Sequence, residues 1–219
     1  MKLSKFARLV KQTGSLVMLH VGGGGLWLSN GYAVYKATGL PDSVDSETIL
    51  AVLDFDSKTA QKIRVQEKSV ESVYNLLGLD LSDEMEQDIS ASRNSITVAY
   101  KGKIATALLC RDGELVFYNE AHATPLMDVF RESDYVQTVV RRTESGMPYV
   151  VIRDGMETLA GILPIQMISQ SFLSELQDFE QRCADQFVRE RYRVQTTVQP
   201  ADEIEHSEQL GMEGLGDED

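Results

Sequence analysis

Leu3-Ser4-Lys5-Phe6-Ala7-Arg8-Leu9-Val10-Lys11-Gln12, then Ser15-Leu16-Val17-Met18-Leu19-His20-Val21, then Gly22 to Gly25, then Leu26-Trp27-Leu28-Ser29-Asn30 is the stretch that decides the fold. Leu3, Phe6, Ala7 and Val10 fall on one face at helical spacing, so residues 3–12 read as an amphipathic helix that Gly14 ends. The two apolar runs that follow flank a glycine turn, which is the pattern of a β-hairpin. A third strand is expected over Tyr32 to Lys36, ending before Gly39-Leu40-Pro41.

Outward from this helix and hairpin the chain repeats the same vocabulary. Ile96 to Tyr100 and Ile104 to Cys110 read as strands, and Asp112-Gly113 turns the chain into Leu115 to Tyr118. Asp154-Gly155 likewise joins Tyr149 to Ile152 with the run ending at Ile162-Leu163. At an offset of 89 the first hairpin aligns with the second, Leu19 with Leu108, Gly24 with Gly113, Leu26 with Leu115 and Asn30 with Asn119. That alignment raises a duplication of helix and hairpin units over about 1–90 and 91–167. Between them, Asp45 to Phe55 is a short apolar run that periodicity leaves open between helix and strand. Val70, Val73, Tyr74 and Leu77 predict a helix over Ser69 to Leu77, and Asp80 to Asp88 an acidic loop or exposed helical turn.

From Ser169 to Tyr192, Phe172, Leu176, Phe179, Cys183 and Phe187 recur at 3 and 4 spacing, which predicts a long terminal helix packed along its apolar stripe. The fold class is therefore α+β: antiparallel β-hairpins with amphipathic helices on one side, a long C-terminal helix and a disordered acidic tail, with a body over 1–200 and the tail over 201–219.

The 219 residues carry 21 Lys and Arg against 34 Asp and Glu, a net charge of −13. The segment 201–219 holds eight of those acids and no cation, so the remainder carries 26 acids against 21 cations, a net of −5. The body is close to balanced. Cys110 and Cys183 form no CxxC pair, no run approaches the roughly 18 apolar residues of a membrane span, and the N-terminus lacks a signal-peptide core, so a reducing cytoplasm is expected.

Catalytic and metal signatures are sparse. His20, His122 and His206 lie far apart with no second ligand at metal-site spacing, and neither G-x-S-x-G nor H-E-x-x-H occurs. Asp54 and Asp56 would share a side of an extended segment, but a solvated strand end accounts for them. Gly22 to Gly25 lead into a strand without a following Lys, which argues for a hairpin tip rather than a phosphate cradle. The expectation is a non-enzymatic protein with no metal and no cofactor.

Binding signals are clearer. Lys2, Lys5, Arg8 and Lys11 lie opposite the apolar face of the first helix, with no acid in the same stretch. Such a face suits nucleic-acid phosphates. In the tail, Leu210, Met212 and Leu215 interrupt the acids, and Gln209-Leu210-Gly211-Met212 has the look of a short docking peptide.

Taken together, a basic amphipathic helix followed by apolar hairpins resembles the DNA sliding clamps, whose inner helices face the duplex and whose sheets form the outer ring. Leu26-Trp27-Leu28-Ser29-Asn30-Gly31 is similar to early strands of a clamp domain. Pro148 to Gly155 with Leu159 to Ile165 is similar to the hairpin that ends bacterial clamp chains. The chain departs from that pattern in its length, its terminal helix and its tail. It also looks like a phage or prophage accessory protein. The resemblance implies a sliding-clamp-like accessory factor in phage or bacterial DNA metabolism, partnered by double-stranded DNA and replication proteins, without a membrane, and assembled as a homo-oligomer. The alternative is an acidic protein-binding inhibitor or adaptor, a nucleic-acid mimic that docks through its tail.

Overall fold

Gly14 sets the first corner of the chain. Helix α1, Leu3–Thr13, buries Phe6, Ala7, Leu9 and Val10 and ends where Gly14 takes a left-handed conformation, φ 67°, its N–H closing on the carbonyl of Val10. A side chain there would be strained. The computed structural model describes residues 1–23, 25–84, 86–100, 102–166 and 168–197, with backbone alone at Tyr100, Lys103 and 192–197. The expected disordered tail over 201–219, with Gln209, Leu210, Met212 and Leu215, lies outside the described residues. The chain divides into two compact units, and the second begins at Gln170.

In the first unit, strands β1 (Ser15–Val21), β2 (Gly25–Ser29) and β3 (Ala33–Lys36) form the expected meander. The open segment from Asp45 resolves as helix α2, Ser46–Val52, because Asp45 accepts the Thr48 N–H at 2.8 Å and starts it, while Ile49 and Leu53 are buried. Helix α3, Ser57–Ala60, is capped in the same way by Asp56. Strands β4 (Arg64–Val70), β5 (Ile89–Tyr100), β6 (Lys103–Cys110) and β7 (Leu115–Tyr118) follow. A 3-10 segment over Glu120–Leu126 leads into helix α4, Met127–Glu132, and then into β8 (Val136–Arg142), β9 (Pro148–Asp154) and β10 (Glu157–Ile162). All ten strands join one sheet in the order β4-β1-β2-β3-β10-β9-β8-β5-β6-β7.

The α+β class with helices on one face agrees with the sequence reading. Even-numbered side chains of β1, β2, β8 and β9, among them Met18, Leu28, Val150 and Ile152, join Ala33 and Tyr35 of β3 and meet α1, Ile49 and Leu53 in one apolar cluster. Odd-numbered side chains of the same four strands, among them Leu19, Trp27, Tyr149 and Val151, join Val34 of β3 in a second cluster closed by Leu76, Leu79 and Leu81. Period-2 alternation thus serves both faces, since each is covered.

Two α-β-β-β units are visible in the topology. One is α1-β1-β2-β3; the other is the 3-10 segment and α4 followed by β8-β9-β10. They meet through antiparallel β3 and β10, with Gly161 opposite Val34. Their helical segments touch as well, the Lys2 N–H donating to the Pro125 carbonyl at 2.7 Å. Tyr35 Oη donates to the His122 carbonyl at 2.7 Å, and the Asn30 amide meets His122 Nδ1 at 3.4 Å. The β1–β2 and β6–β7 hairpins also share a register at the offset of 89, with Leu19 opposite Trp27 and Leu108 opposite Val116, but α1 leads into β1 and a strand leads into β6.

One expectation is corrected. The helix over Ser69 to Leu77 is instead the end of β4 followed by a 3-10 turn, Val73–Asn75. Strand β4 pairs in parallel with β1 along its whole length, from Ser15 with Arg64 to Val21 with Val70, and Ser72 then caps the turn. Leu76 is the buried residue, whereas Leu77 is exposed at φ 57°. Over the described residues of 80–88 the acidic stretch is the expected loop, within which Leu81 and Ser82 are buried and Asp88 is engaged by two arginines. Helix α5, Gln170–Thr197, agrees with the expected terminal helix, and its Phe179 and Phe187 are 62% and 67% exposed.

Gly161 explains how closely the 72–88 segment lies on the sheet. A Cβ there would stand 2.7 Å from Leu81 Cδ2 and 3.3 Å from Leu79 Cδ1, both in buried residues. Gly161→Ala is expected to cost about 1–3 kcal/mol through overpacking, read as a lower urea midpoint, with part of the loss recovered by adding Leu81→Val. A neutral Gly161→Ala would contradict this close packing. Burial also holds the His122 imidazole below its ordinary pKa. The unfolded chain therefore binds a proton that the folded ring refuses, and stability falls as pH drops below about 6.5. In urea titrations at about pH 7 and pH 5.5, His122→Gln is expected to lose part of the wild-type decline; an identical decline would exclude His122 as a contributor.

Candidate nucleic-acid interface

The sequence alone places Lys2, Lys5, Arg8 and Lys11 on one helix face, and the structure separates them into two pairs. Lys2 Nζ lies 3.1 Å from Asp128 of α4, and Asp128 also stands 4.0 Å from Arg131. Lys11 Nζ sits over the Phe55 ring, 5.3 Å from its centroid, and its charge adds to the hydrogen bonds from Thr59 that hold the Asp56 carboxyl below its ordinary range. Each of these cations therefore has a partner within the chain. Among the described residues, Lys5 and Arg8 meet no carboxylate within ion-pair distance, and Arg8 is exposed.

This division follows from helix geometry. Phe6, Ala7, Leu9 and Val10 point into the core, so Lys5 and Arg8, three residues apart, share the outer face. At the amino-terminal end of that face α4 supplies Asp128 to Lys2, and at the carboxy-terminal end Lys11 approaches Phe55 and Asp56. The interaction of Lys2 with Asp128 was not legible because the partner lies 126 residues away in sequence.

Other clusters have structural accounts. Asp54 and Asp56 do not share a side of a strand: Asp54 has φ 54°, and Asp56 is spent on Thr59, whose N–H and Oγ1 both donate at 2.8 Å. Gly22 and Gly23 form the hairpin tip, with the Gly22 N–H donating to the Val70 carbonyl at 3.0 Å. His20 Nδ1 hydrogen-bonds the Asp42 carbonyl at 2.7 Å, and its Nε2 lies 3.0 Å from the Glu67 carboxylate of β4 without making a hydrogen bond to it.

Two features have no counterpart in the sequence reading. Cys110, Asp112 and Glu114, around the β6–β7 turn, bring one potential ligand atom each within 4.8 Å of one another. Burial and then the two carboxylates push the Cys110 thiol up, and Glu114 is bound by Arg142, so the group presents a protonated sulfur and an engaged carboxylate. A cavity of about 670 Å³ lies beside the 74–80 segment, lined by Tyr74, Leu77, Asp80, Arg142, Met147 and Tyr149. Among the described residues its lining contains neither histidine nor cysteine, so it offers no nucleophile with an adjacent imidazole base. Among the described residues, no helix is long and apolar enough to cross a membrane.

No protein-family model matches the chain, and no curated protein or solved structure matches it.

Proposed function

We propose that the chain is a non-enzymatic, sliding-clamp-like accessory factor of DNA metabolism, which works in the cytoplasm with replication proteins and rests the α1 face on duplex phosphates. The observation that supports this reading is the side-by-side placement of α1 and the 3-10 segment before α4 on one face of a continuous sheet, with Lys5 half-buried, Arg8 exposed and, among the described residues, no carboxylate within ion-pair distance of either. A sheet backing two adjacent helical segments is a rigid support for such a face, and rigid support lowers the ordering cost of binding.

The nucleic-acid-mimic alternative draws less support. Its acidic loop spends Asp83 on the Thr158 N–H and Asp88 on Arg141 and Arg153, so these carboxylates are not displayed to a basic partner.

Because Lys2 and Lys11 are already partnered, Lys5 and Arg8 dominate the expected contact. Lys5→Glu with Arg8→Glu is expected to abolish duplex binding in fluorescence anisotropy at low salt, with folding stability changed by no more than about 0.5 kcal/mol. The wild-type affinity should also fall steeply with added salt, by a log–log slope of roughly 0.9 for each phosphate neutralised. Wild-type chain that leaves the duplex anisotropy unchanged, or binding that survives both substitutions, would overturn the proposal.

A further inference from the structure

Helix α5 spans 28 residues, Gln170–Thr197, or about 42 Å at 1.5 Å per residue. Leu176, Phe179 and Cys183 follow one another at spacings of 3 and 4, the interval that keeps side chains in a single seam, and Phe187 continues the row one turn later. Leu176, Phe179 and Phe187 are 50%, 62% and 67% exposed, and Cys183 is exposed. An apolar row of this length in water needs a partner.

Charge identifies the partner. Residues 170–181 carry Glu175, Asp178 and Glu180 and no Lys or Arg, a net of −3. Residues 182–193 carry Arg182, Arg189, Arg191 and Arg193 against Asp185 and Glu190, a net of +2. The sign reverses between Glu180 and Arg182, which is also the middle of the apolar row. A helix that is acidic in one half and basic in the other is complementary to itself when turned end for end, whereas parallel pairing sets acids against acids and arginines against arginines.

We propose that α5 is a self-association helix that pairs antiparallel with α5 of a second copy of this chain. With the dyad between Phe179 and Glu180, Leu176 lies opposite Cys183 of the partner subunit, the two Phe179 rings flank the axis, and Arg182 faces the partner's Glu175 and Asp178. The pairing is independent of DNA binding, since it uses none of the α1 cations.

Sedimentation velocity on the full chain tests it. The wild type is expected to reach twice the chain mass as loading rises, and Phe179→Asp with Phe187→Asp is expected to halve that mass at the same loading. The urea transition of the first unit, followed through Trp27 fluorescence, should not move, which separates lost pairing from lost folding. A wild-type chain that stays at single mass, one that assembles beyond two chains, or a dimer that survives the double substitution overturns the proposal. For orientation, air oxidation of the Leu176→Cys chain should join the introduced thiol to Cys183 of the partner subunit, located by peptide mass spectrometry. Links between identical positions, or no link from a dimeric sample, would overturn the antiparallel arrangement.

Discussion

Asp88 is shared between two guanidiniums inside the first unit. Its Oδ1 accepts from Arg141 Nε at 2.6 Å and its Oδ2 from Arg153 Nη1, and both arginine side chains are essentially without solvent exposure. Two cations around one carboxylate leave a net positive charge, which backbone carbonyls meet. Arg141 donates to the carbonyls of Asp80, Ser82 and Glu84 at 3.0, 2.9 and 2.7 Å, and Arg153 to those of Asp83 and Met156 at 3.0 and 2.8 Å. Buried charge is tolerated only when it is paired and hydrogen-bonded to this degree. Around it, Tyr149 Oη donates to the Asp80 carbonyl at 2.9 Å and Thr158 Oγ1 to the Ser82 carbonyl at 3.0 Å.

The consequence is that the 72–88 segment is tied to strands β8, β9 and β10 by polar bonds while Leu76, Leu79 and Leu81 fill the space beneath it. Over these strands that face is thereby closed by a segment that carries the 3-10 turn Val73–Asn75 and, among its described residues, no α-helix. The opposite face is left to α1, α2 and the 3-10 segment before α4, which is why the helical segments collect on one side and why the basic face of α1 has a broad sheet behind it. Site and scaffold are linked by this division of the two faces.

Local patterns carried much of this into view from sequence. Helix α1, the β1–β2 hairpin and the two Asp-Gly turns depend on neighbours within a dozen residues, so spacing and turn chemistry revealed them. Strand β8 did not show itself: Val136 to Arg142 ends in two arginines, and nothing local says that Arg141 is buried while Arg142 is exposed. Asp88 lies 53 residues from Arg141 and 65 from Arg153, so a solvated acidic loop was the natural reading of its neighbourhood. The segment from Ser69 misled for a related reason, because Val70, Val73 and Leu76 reach one apolar cluster through a strand and a turn rather than through helical geometry. At the candidate interface the cations were legible, but their partners Asp128 and Phe55 come from other elements and appear only in the fold.

Hydrogen exchange by mass spectrometry on the Asp88→Asn chain tests most directly the claim that the shared carboxylate fastens this segment. Removing the charge leaves two buried guanidiniums uncompensated, a loss on the order of 3–5 kcal/mol where no relaxation intervenes. Amides of residues 73–84 should then exchange much faster than in the wild type, while β1 and β2 keep most of their protection. Unchanged exchange over 73–84, or a loss of protection equal across the sheet, would contradict the account.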